Sequence, residues 1–398
     1  MRLLILTQYY LPEIGAAQAR LSALTRALIR RGHQVEVVTA MPNHLLGRTF
    51  EGYRRRLYRC DRVDGATVHR TWVYAAAGTG FRRMLNYLSF ACSSLLGIAR
   101  TRRPDAIFVE SPPLFLAVPG WIAAKLHRCA LIFNVADLWP DAVRELGVLR
   151  SGPLLGAAER LEAWTYQRAT LVNAVTAGIE RDLRVRKGVP ADKLRFLPNG
   201  IDIEAFTPRA RSDALARRLQ LDGRPLFLYA GTHGIAQGLH NLIEAAALAP
   251  ECLVLFLGAG TTKRALLELT RARALSNVRF LDPVPLDDMP EYFSLASASL
   301  VPLVRRDTHL GARPSKLFPS LACGVPVIYS GEGEGAAIVA DADAGIVVPP
   351  EDPTAIAAAM RGIARDPVAR ERMSRNARAL AVERFAWPGI VDRWLASL

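Results

Sequence analysis

The 398-residue sequence has no low-complexity tract and no long block of like charge, which excludes an extensively disordered chain. It has only five cysteines (Cys60, Cys92, Cys129, Cys252 and Cys323), an odd number without a CxxC pair, so neither a disulfide framework nor a cysteine zinc site is expected. Most lie among apolar neighbours and read as reduced core residues. None of the seven histidines forms an HxxxH pair, which also argues against zinc. The opening MRLLILTQYYLP lacks the charged, apolar and small-residue regions of a secretory signal and reads as a buried first strand, so a cytoplasmic protein is expected. No apolar run is long enough to cross a bilayer. The most apolar stretch, 84–99, is broken by Asn86, Ser89, Ser93 and Ser94 and falls short of the roughly 20 residues a span requires. Arginines bracket it, at Arg82 and Arg83 and at Arg100, Arg102 and Arg103. Two readings follow: a helix lying in a membrane interface, or a buried helix with solvated ends.

What the chain does have is basic charge, unevenly placed. The net charge is +14, and all of it falls in residues 1–200, where 29 Lys/Arg face 15 Asp/Glu; beyond, 22 face 22. A basic half beside a neutral half points to a polyanionic partner, and an anionic lipid surface adds roughly 1 kcal/mol of attraction per nearby Lys/Arg. An Arg-rich genome is the plainer explanation. Nucleic acid is not the expected partner, since the basic half carries no helix-turn-helix, RNP or zinc signature.

Strand-like apolar runs alternate with amphipathic segments from the start: LLILTQ, a helix over 17–31, QVEVVTA, AIFVES, a helix over 114–127, ALIFNVA, a helix over 154–169 and LVNAVTA. The segment RFLPNGIDIEAFTP, with Pro198, Asn199-Gly200 and Pro208, punctuates the chain. A second alternation follows, through PLFLYAG, CLVLFLG, VRFLDPV, SLVPLV, VPVIYS and GIVVPP. The expected fold is therefore α/β, with two doubly wound Rossmann-like domains that share an interdomain cleft at the carboxyl ends of their strands. Domains are expected over 1–200 and 201–380. The tail 381–398, kinked at Pro388, is expected to cross back to the first domain.

Candidate chemistry collects at glycine loops. Gly15 opens the first helix, Gly231-Thr232-His233-Gly234 follows PLFLYA, and Gly258-Ala259-Gly260 follows CLVLFL. A side-chain-free backbone at a helix entry suits a phosphate, although a lone glycine there is as often structural and no GxGxxG occurs. In RPSKLFPSLACGVPVI, Arg313 and Lys316 stand at a helix start, unfavourable for the dipole unless an anion joins them. They read as phosphate ligands. Asp137, after ALIFNVA, is either a helix N-cap or a group in the site. The acidic pairs Asp341/Asp343 and Asp287/Asp288 are discounted as metal ligands, because the basic groups already present suffice for a departing diphosphate.

The order of motifs resembles glycosyltransferase family 4, in particular its branch of bacterial N-acetyl-L-fucosamine transferases, and the likeness runs nearly end to end. QYYLPEIGAAQAR, RRGHQVEVVTAMPNH, SPP (111–113), DLWPD (137–141), PNGID (198–202), GTHGIAQGLHNLIEA (231–245), RPSKLFPSLACGVPVI and GIVVPPEDP carry it. The resemblance implies a GT-B fold and a retaining transferase that needs no cofactor or metal. It implies a nucleotide-sugar donor on the second domain, and a lipid-linked saccharide acceptor on the first, at the inner face of the plasma membrane, in polysaccharide or O-antigen assembly. By the same resemblance Gly15, Gly231, His233, Gly234, Arg313, Ser315 and Lys316 would serve the donor diphosphate. Gly258, Asp282 and Val284 would line the nucleotide pocket, Asp137 would lie near the reacting sugar, and Asn43, His44 and Glu110 would lie at the acceptor side. The sequence departs from the family at Pro319, where members usually place a ribose-binding glutamate; Glu332 or Glu334 would have to substitute. A nucleotide-sugar 2-epimerase and an inactive sugar-binding partner are the competing readings.

Overall fold

The central strands are near-continuous apolar runs because both faces of a parallel sheet are covered by helices. In the computed structural model, which describes residues 1–13, 15–43, 47–76, 80–141, 144 and 152–398 (16 and 308 by backbone only), these runs form two sheets. The first holds β1 (Arg2–Leu6), β2 (Gln34–Ala40), β3 (Tyr58–Val63), β4 (Ala66–Thr71), β5 (Ala106–Ser111), β6 (Ala130–Val135), β7 (Leu171–Ala174) and β8 (Leu194–Phe196). Their order is β3-β4-β2-β1-β5-β6-β7-β8. All neighbours are parallel except β3 and β4. That hairpin was not among the expected strands, because YRCDRV alternates around polar residues on an edge. Its turn, Asp64-Gly65 with φ of 51° and 83°, is the two-residue kind that favours Asp-Gly.

The second sheet holds β9 (Leu226–Ala230), β10 (Leu253–Leu257), β11 (Val278–Leu281), β12 (Ala298–Pro302), β13 (Val327–Ser330) and β14 (Gly345–Val348), in the order β11-β10-β9-β12-β13-β14, all parallel. In each sheet the order reverses once, beside β1 and β5 in the first and beside β9 and β12 in the second. Open α/β sheets bind ligands at the carboxyl ends of strands next to such a reversal.

Helices α1 (Ala16–Arg30), α2 (Phe81–Ile98), α3 (Ala117–His127), α4 (Pro153–Arg168) and α5 (Ala177–Val185) belong to the first unit. Gly120 lets α3 seat on β5: a Cβ there would overlap Val109. The second unit contains α6 (Asp213–Arg218), α7 (His240–Leu248), α8 (Lys263–Ala272), α9 (Met289–Phe293), α10 (Leu317–Ala322), α11 (Glu334–Asp341), α12 (Pro353–Arg365) and α13 (Pro367–Leu380). The units comprise Met1–Asn199 with Ile390–Leu398, and Gly200–Gly389. The final helix, α14 (Trp387–Ser397), thus returns to the first unit, where Trp394 is fully buried, donates from Nε1 to Asn173 Oδ1 at 3.1 Å and meets Phe108 edge-on. Leucine, valine and phenylalanine from both faces of each sheet make the cores. Cysteine placement departs from expectation: Cys252 and Cys323 are buried and Cys129 half-buried, but Cys60, on the edge strand, and Cys92, on the outer face of α2, are exposed. Among the described residues no helix is long and apolar enough to cross a membrane.

Candidate active site

In the second unit, β9 and β10 end in glycine loops that lock onto each other. Gly231 N–H donates to Leu257 O at 2.9 Å, and Gly258 N–H to Leu281 O at 3.2 Å. A Cβ on Gly258 would overlap the carbonyl oxygen of Gly231, and one on Gly260 the carbonyl of His233, so the close approach admits no side chain. His233 completes the lock, donating its N–H to Ala259 O at 2.8 Å and accepting from Thr262 N–H at 3.1 Å.

The His233 ring is fully buried among Tyr229, Phe256 and Phe280, with centroids 5.8, 6.1 and 6.1 Å away. Neither ring nitrogen has a hydrogen-bond partner among the described residues. Burial first, and the Lys263 charge second, push its pKa down to about 4, so the ring is neutral at pH 7. The Lys263 ammonium ties this wall together: it donates to Gly258 O at 2.9 Å, Leu281 O at 3.0 Å and Asp282 Oδ1 at 2.7 Å. That bond holds the exposed Asp282 carboxyl below its usual range. Val284, half-buried, packs on the core nearby. Lys263 was not anticipated as a site residue; its place five residues after Gly258 was the available signal.

Lys316 precedes α10, and its Nζ stands 5.3 Å from the Tyr229 ring centroid. Its chain borders Gly231, where a Cβ would lie 3.2 Å from Lys316 Cε. Desolvation pushes the ammonium down to about 8. No carboxylate pairs with it among the described residues. Arg313 differs: its guanidinium forms a largely buried ion pair with Glu334, the first residue of α11. Two residues expected to meet the donor separately therefore meet each other, and the anion that Arg313 requires is supplied from within the chain. Ser315 is exposed and Gly234 half-buried. Pro319 lies in the first turn of α10, where its missing N–H costs no helical bond. Among the described residues no three His, Cys, Asp or Glu side chains are grouped to hold a metal ion.

In the first unit, Gly15 enters α1 in an extended conformation, φ 166°, and the first turn carries no acidic residue. Asn43 is fully buried: its N–H donates to Glu13 Oε1 at 2.6 Å and its Oδ1 accepts from Asn86 Nδ2 at 3.2 Å, while Asn86 Oδ1 accepts from Gln8 Nε2 at 2.6 Å. Glu110, at the end of β5, is 1% exposed; it forms an ion pair with Arg20 and accepts from Asn134 Nδ2 at 2.9 Å. Arg20 also donates to Asn199 Oδ1 at 3.2 Å. Burial lowers its pKa only to about 10, so it stays charged. Asn43 and Glu110 are thus interior members of polar networks, whose other members, Glu13, Arg20 and Asn86, sequence reading did not single out. His44 lies outside the described residues.

Asp137 is exposed, just past β6. Asp141 is the buried carboxylate of the DLWPD loop, anchored by Arg144 at 3.3 Å, Arg186 at 3.1 Å and Lys187 at 3.2 Å.

Two doubly wound units, the second with glycine loops after β9 and β10 and the first with Gly15 at the entry to α1, define the GT-B fold. The solved structures agree. Sucrose-phosphate synthase from Thermosynechococcus elongatus superimposes with a TM-score of 0.77 at 19% identity, covering 98% of this chain and 96% of that one. HepE from Anabaena, solved in complex with UDP-glucose, gives 0.74 at 17% identity over 100% of both chains. The model of the glycosyl transferase 4-like domain matches residues 15–200, and that of glycosyl transferases group 1 matches residues 212–380. The Escherichia coli K12 protein named as a colanic acid biosynthesis glycosyl transferase, WcaI, is 31% identical over 345 residues, 83% of this chain and 84% of its own. The chain belongs to glycosyltransferase family 4.

Proposed function

We propose that this transferase moves a hexosyl or N-acetylhexosaminyl group, with retention of configuration, from a nucleotide sugar to a saccharide carried on a polyprenyl diphosphate, at the inner membrane face, during cell-surface polysaccharide assembly. The observation that carries the reading is the half-buried Lys316 ammonium beside Gly231, which has no carboxylate partner among the described residues. A cation held out of water without a counter-ion is a site awaiting an anion, and the donor diphosphate supplies it. The UDP-glucose complex of HepE and the name of WcaI support the donor class and the pathway class.

On this reading the second unit holds the donor. Gly231, His233, Gly234, Ser315 and Lys316 surround the diphosphate; Gly258, Asp282 and Val284 line the base pocket; and Glu334, fixed by Arg313, takes the ribose contact that Pro319 forgoes. Asp137 borders the acceptor hydroxyl. The acceptor oxygen bonds to the anomeric carbon on the face from which the phosphate oxygen departs, and that oxygen receives the hydroxyl proton. Positioning and charge stabilisation then supply the rate, without a bound metal.

The deciding experiment presents the full chain with individual nucleotide sugars and a lipid-linked acceptor extract, in the presence of a chelator, and reads products by mass spectrometry. A glycan mass increase on the lipid supports the reading. Conversion of the nucleotide sugar without acceptor would instead identify an epimerase, and donor binding without turnover on every acceptor would identify a non-catalytic partner.

A further inference from the structure

Helix α2 buries only one face. Asn86, Phe90, Ala91, Ser94, Gly97 and Ile98 face the first unit. The opposite face, which in an ordinary surface helix would be polar, carries Phe81, Leu85, Leu88, Cys92, Leu95 and Leu96, all exposed. Positions i, i+4, i+7, i+11 and i+14 fall on one line, so this is a continuous apolar ridge, about 22 Å long at 1.5 Å per residue. Phe81 at its head is 76% exposed and Leu88 at its middle 41%.

The ridge continues beyond the helix. Ser93 Oγ, on its flank, donates to Trp72 O at 2.5 Å, and Trp72 N–H donates to Leu57 O at 3.0 Å. Trp72 and Leu57 are themselves 45% and 71% exposed. Charge along this stretch is mostly of one sign: between Asp64 and Asp105 the chain has six arginines and no carboxylate, and Arg54, Arg55 and Arg56 precede Leu57. The carboxylates that approach from other segments are engaged, Glu36 by Arg102 N–H and by His69, and Asp61 by Arg59 and Arg70. Arg82 and Arg100 flank its two ends; Arg100 lies over the Tyr58 ring, 4.6 Å from its centroid, and donates to Leu96 O at 3.0 Å. Arg102 and Arg103 follow, both exposed.

We infer that this ridge is the surface through which the protein docks on an anionic lipid bilayer, with Phe81, Leu85, Leu88, Leu95 and Trp72 entering the acyl boundary while the arginines remain at the phosphate level. The inference rests on the membrane-bound acceptor proposed above and gives that contact a location. Partial insertion fits the chemistry better than burial against protein, because exposed apolar side chains with exposed arginines at both ends match a surface that is apolar below and negative above. A second copy of this chain would bring the same arginines together.

The test uses flotation of the full chain with phosphatidylglycerol/phosphatidylcholine vesicles, beside Leu88→Gln/Leu95→Gln and Arg82→Gln/Arg102→Gln/Arg103→Gln variants. All five positions are exposed and outside the proposed catalytic groups, so both variants should keep the wild-type melting temperature and turnover on a detergent-dispersed acceptor. Wild type should float with anionic vesicles and not with pure phosphatidylcholine, its tryptophan emission shifting to the blue, and the shift should shrink in Trp72→Phe. The leucine variant should lose roughly tenfold or more in vesicle affinity, having less apolar area to withdraw from water. Wild-type affinity in the leucine variant, with loss in the arginine variant, would overturn the ridge while leaving electrostatic attraction and the lipid acceptor standing. A wild-type dimer made monomeric by the leucine changes, without vesicle binding, would assign the ridge to self-association. Failure of lipid-acceptor turnover alongside ridge-dependent vesicle binding would overturn the acceptor and keep the ridge.

Discussion

The Lys316 ammonium lies over the Tyr229 ring, 5.3 Å from its centre, and no carboxylate pairs with it among the described residues. Burial penalises the charged form, and the lysine pKa falls to about 8. A bound diphosphate reverses this by favouring the charged form. Nucleoside diphosphate binding should therefore take up protons near pH 8 to 9, and affinity should fall as pH rises above 8. Calorimetry in buffers of different ionisation enthalpy measures the uptake, and Lys316→Met should abolish it. In the absence of ligand the folded chain holds this proton less tightly than the unfolded chain, so the group disfavours folding below pH 8 and that penalty fades as pH rises from 8 toward 10.5. Lys316→Met should consequently melt at or above the wild-type temperature at pH 7 while losing about 3–4 kcal/mol of transition-state stabilisation. Wild-type turnover would remove Lys316 from the site.

Asp137 stands exposed just past the end of β6. Asp137→Asn should leave the melting temperature within about 1 °C, as exposed substitutions away from special features usually do, and lower kcat strongly. A lowered melting temperature at unchanged rate would make it structural.

Glycines with similar sequence settings should behave differently. Gly258→Ala forces a Cβ into the Gly231 carbonyl, a backbone group that cannot step aside, and should cost about 2 kcal/mol or more. At Gly15 the obstacle is only the tip of Gln18, whose Oε1 would be 2.5 Å from the new atom, and the backbone is extended. Gly15→Ala should keep its stability in thermal melts and lose activity if α1 offers its first turn to a phosphate.

Inside its aromatic cage, His233 has no hydrogen-bond partner for either ring nitrogen among the described residues. Unpaired buried polar atoms cost about 1–3 kcal/mol, and an apolar replacement of similar shape removes that cost. His233→Phe should match or exceed wild-type stability. Donor affinity, read by titration with nucleoside diphosphates, should fall; unchanged affinity would confine His233 to packing.

The paired α/β architecture was legible because β1, β5, β6, β9 and β10 each contain four or five consecutive apolar residues, and doubly covered parallel strands leave that trace. The β3–β4 hairpin was not, since an edge strand such as YRCDRV has only one partner and keeps its polar residues; the Asp64-Gly65 turn was the overlooked sign. The glycine loops and Lys316 could be found in sequence because each follows directly on a strand or helix boundary. Arg20–Glu110 and Gln8–Asn86 could not, being 90 and 78 residues apart and joined only by the sheet order. The Arg313–Glu334 pair belongs with them: each residue was visible as a charge near the donor segment, but not that each is the other's partner.

The return of the chain to its first unit sets an order of events during synthesis. Trp394 fills a place between Phe108 and Asn173 that stays vacant while everything from Gly200 to Gly389 is being made. The first unit therefore stays unfinished for as long as the second is being made. Shortening or extending the chain at its carboxyl end should register in the melting of the amino-terminal sheet, far away in sequence from the change itself.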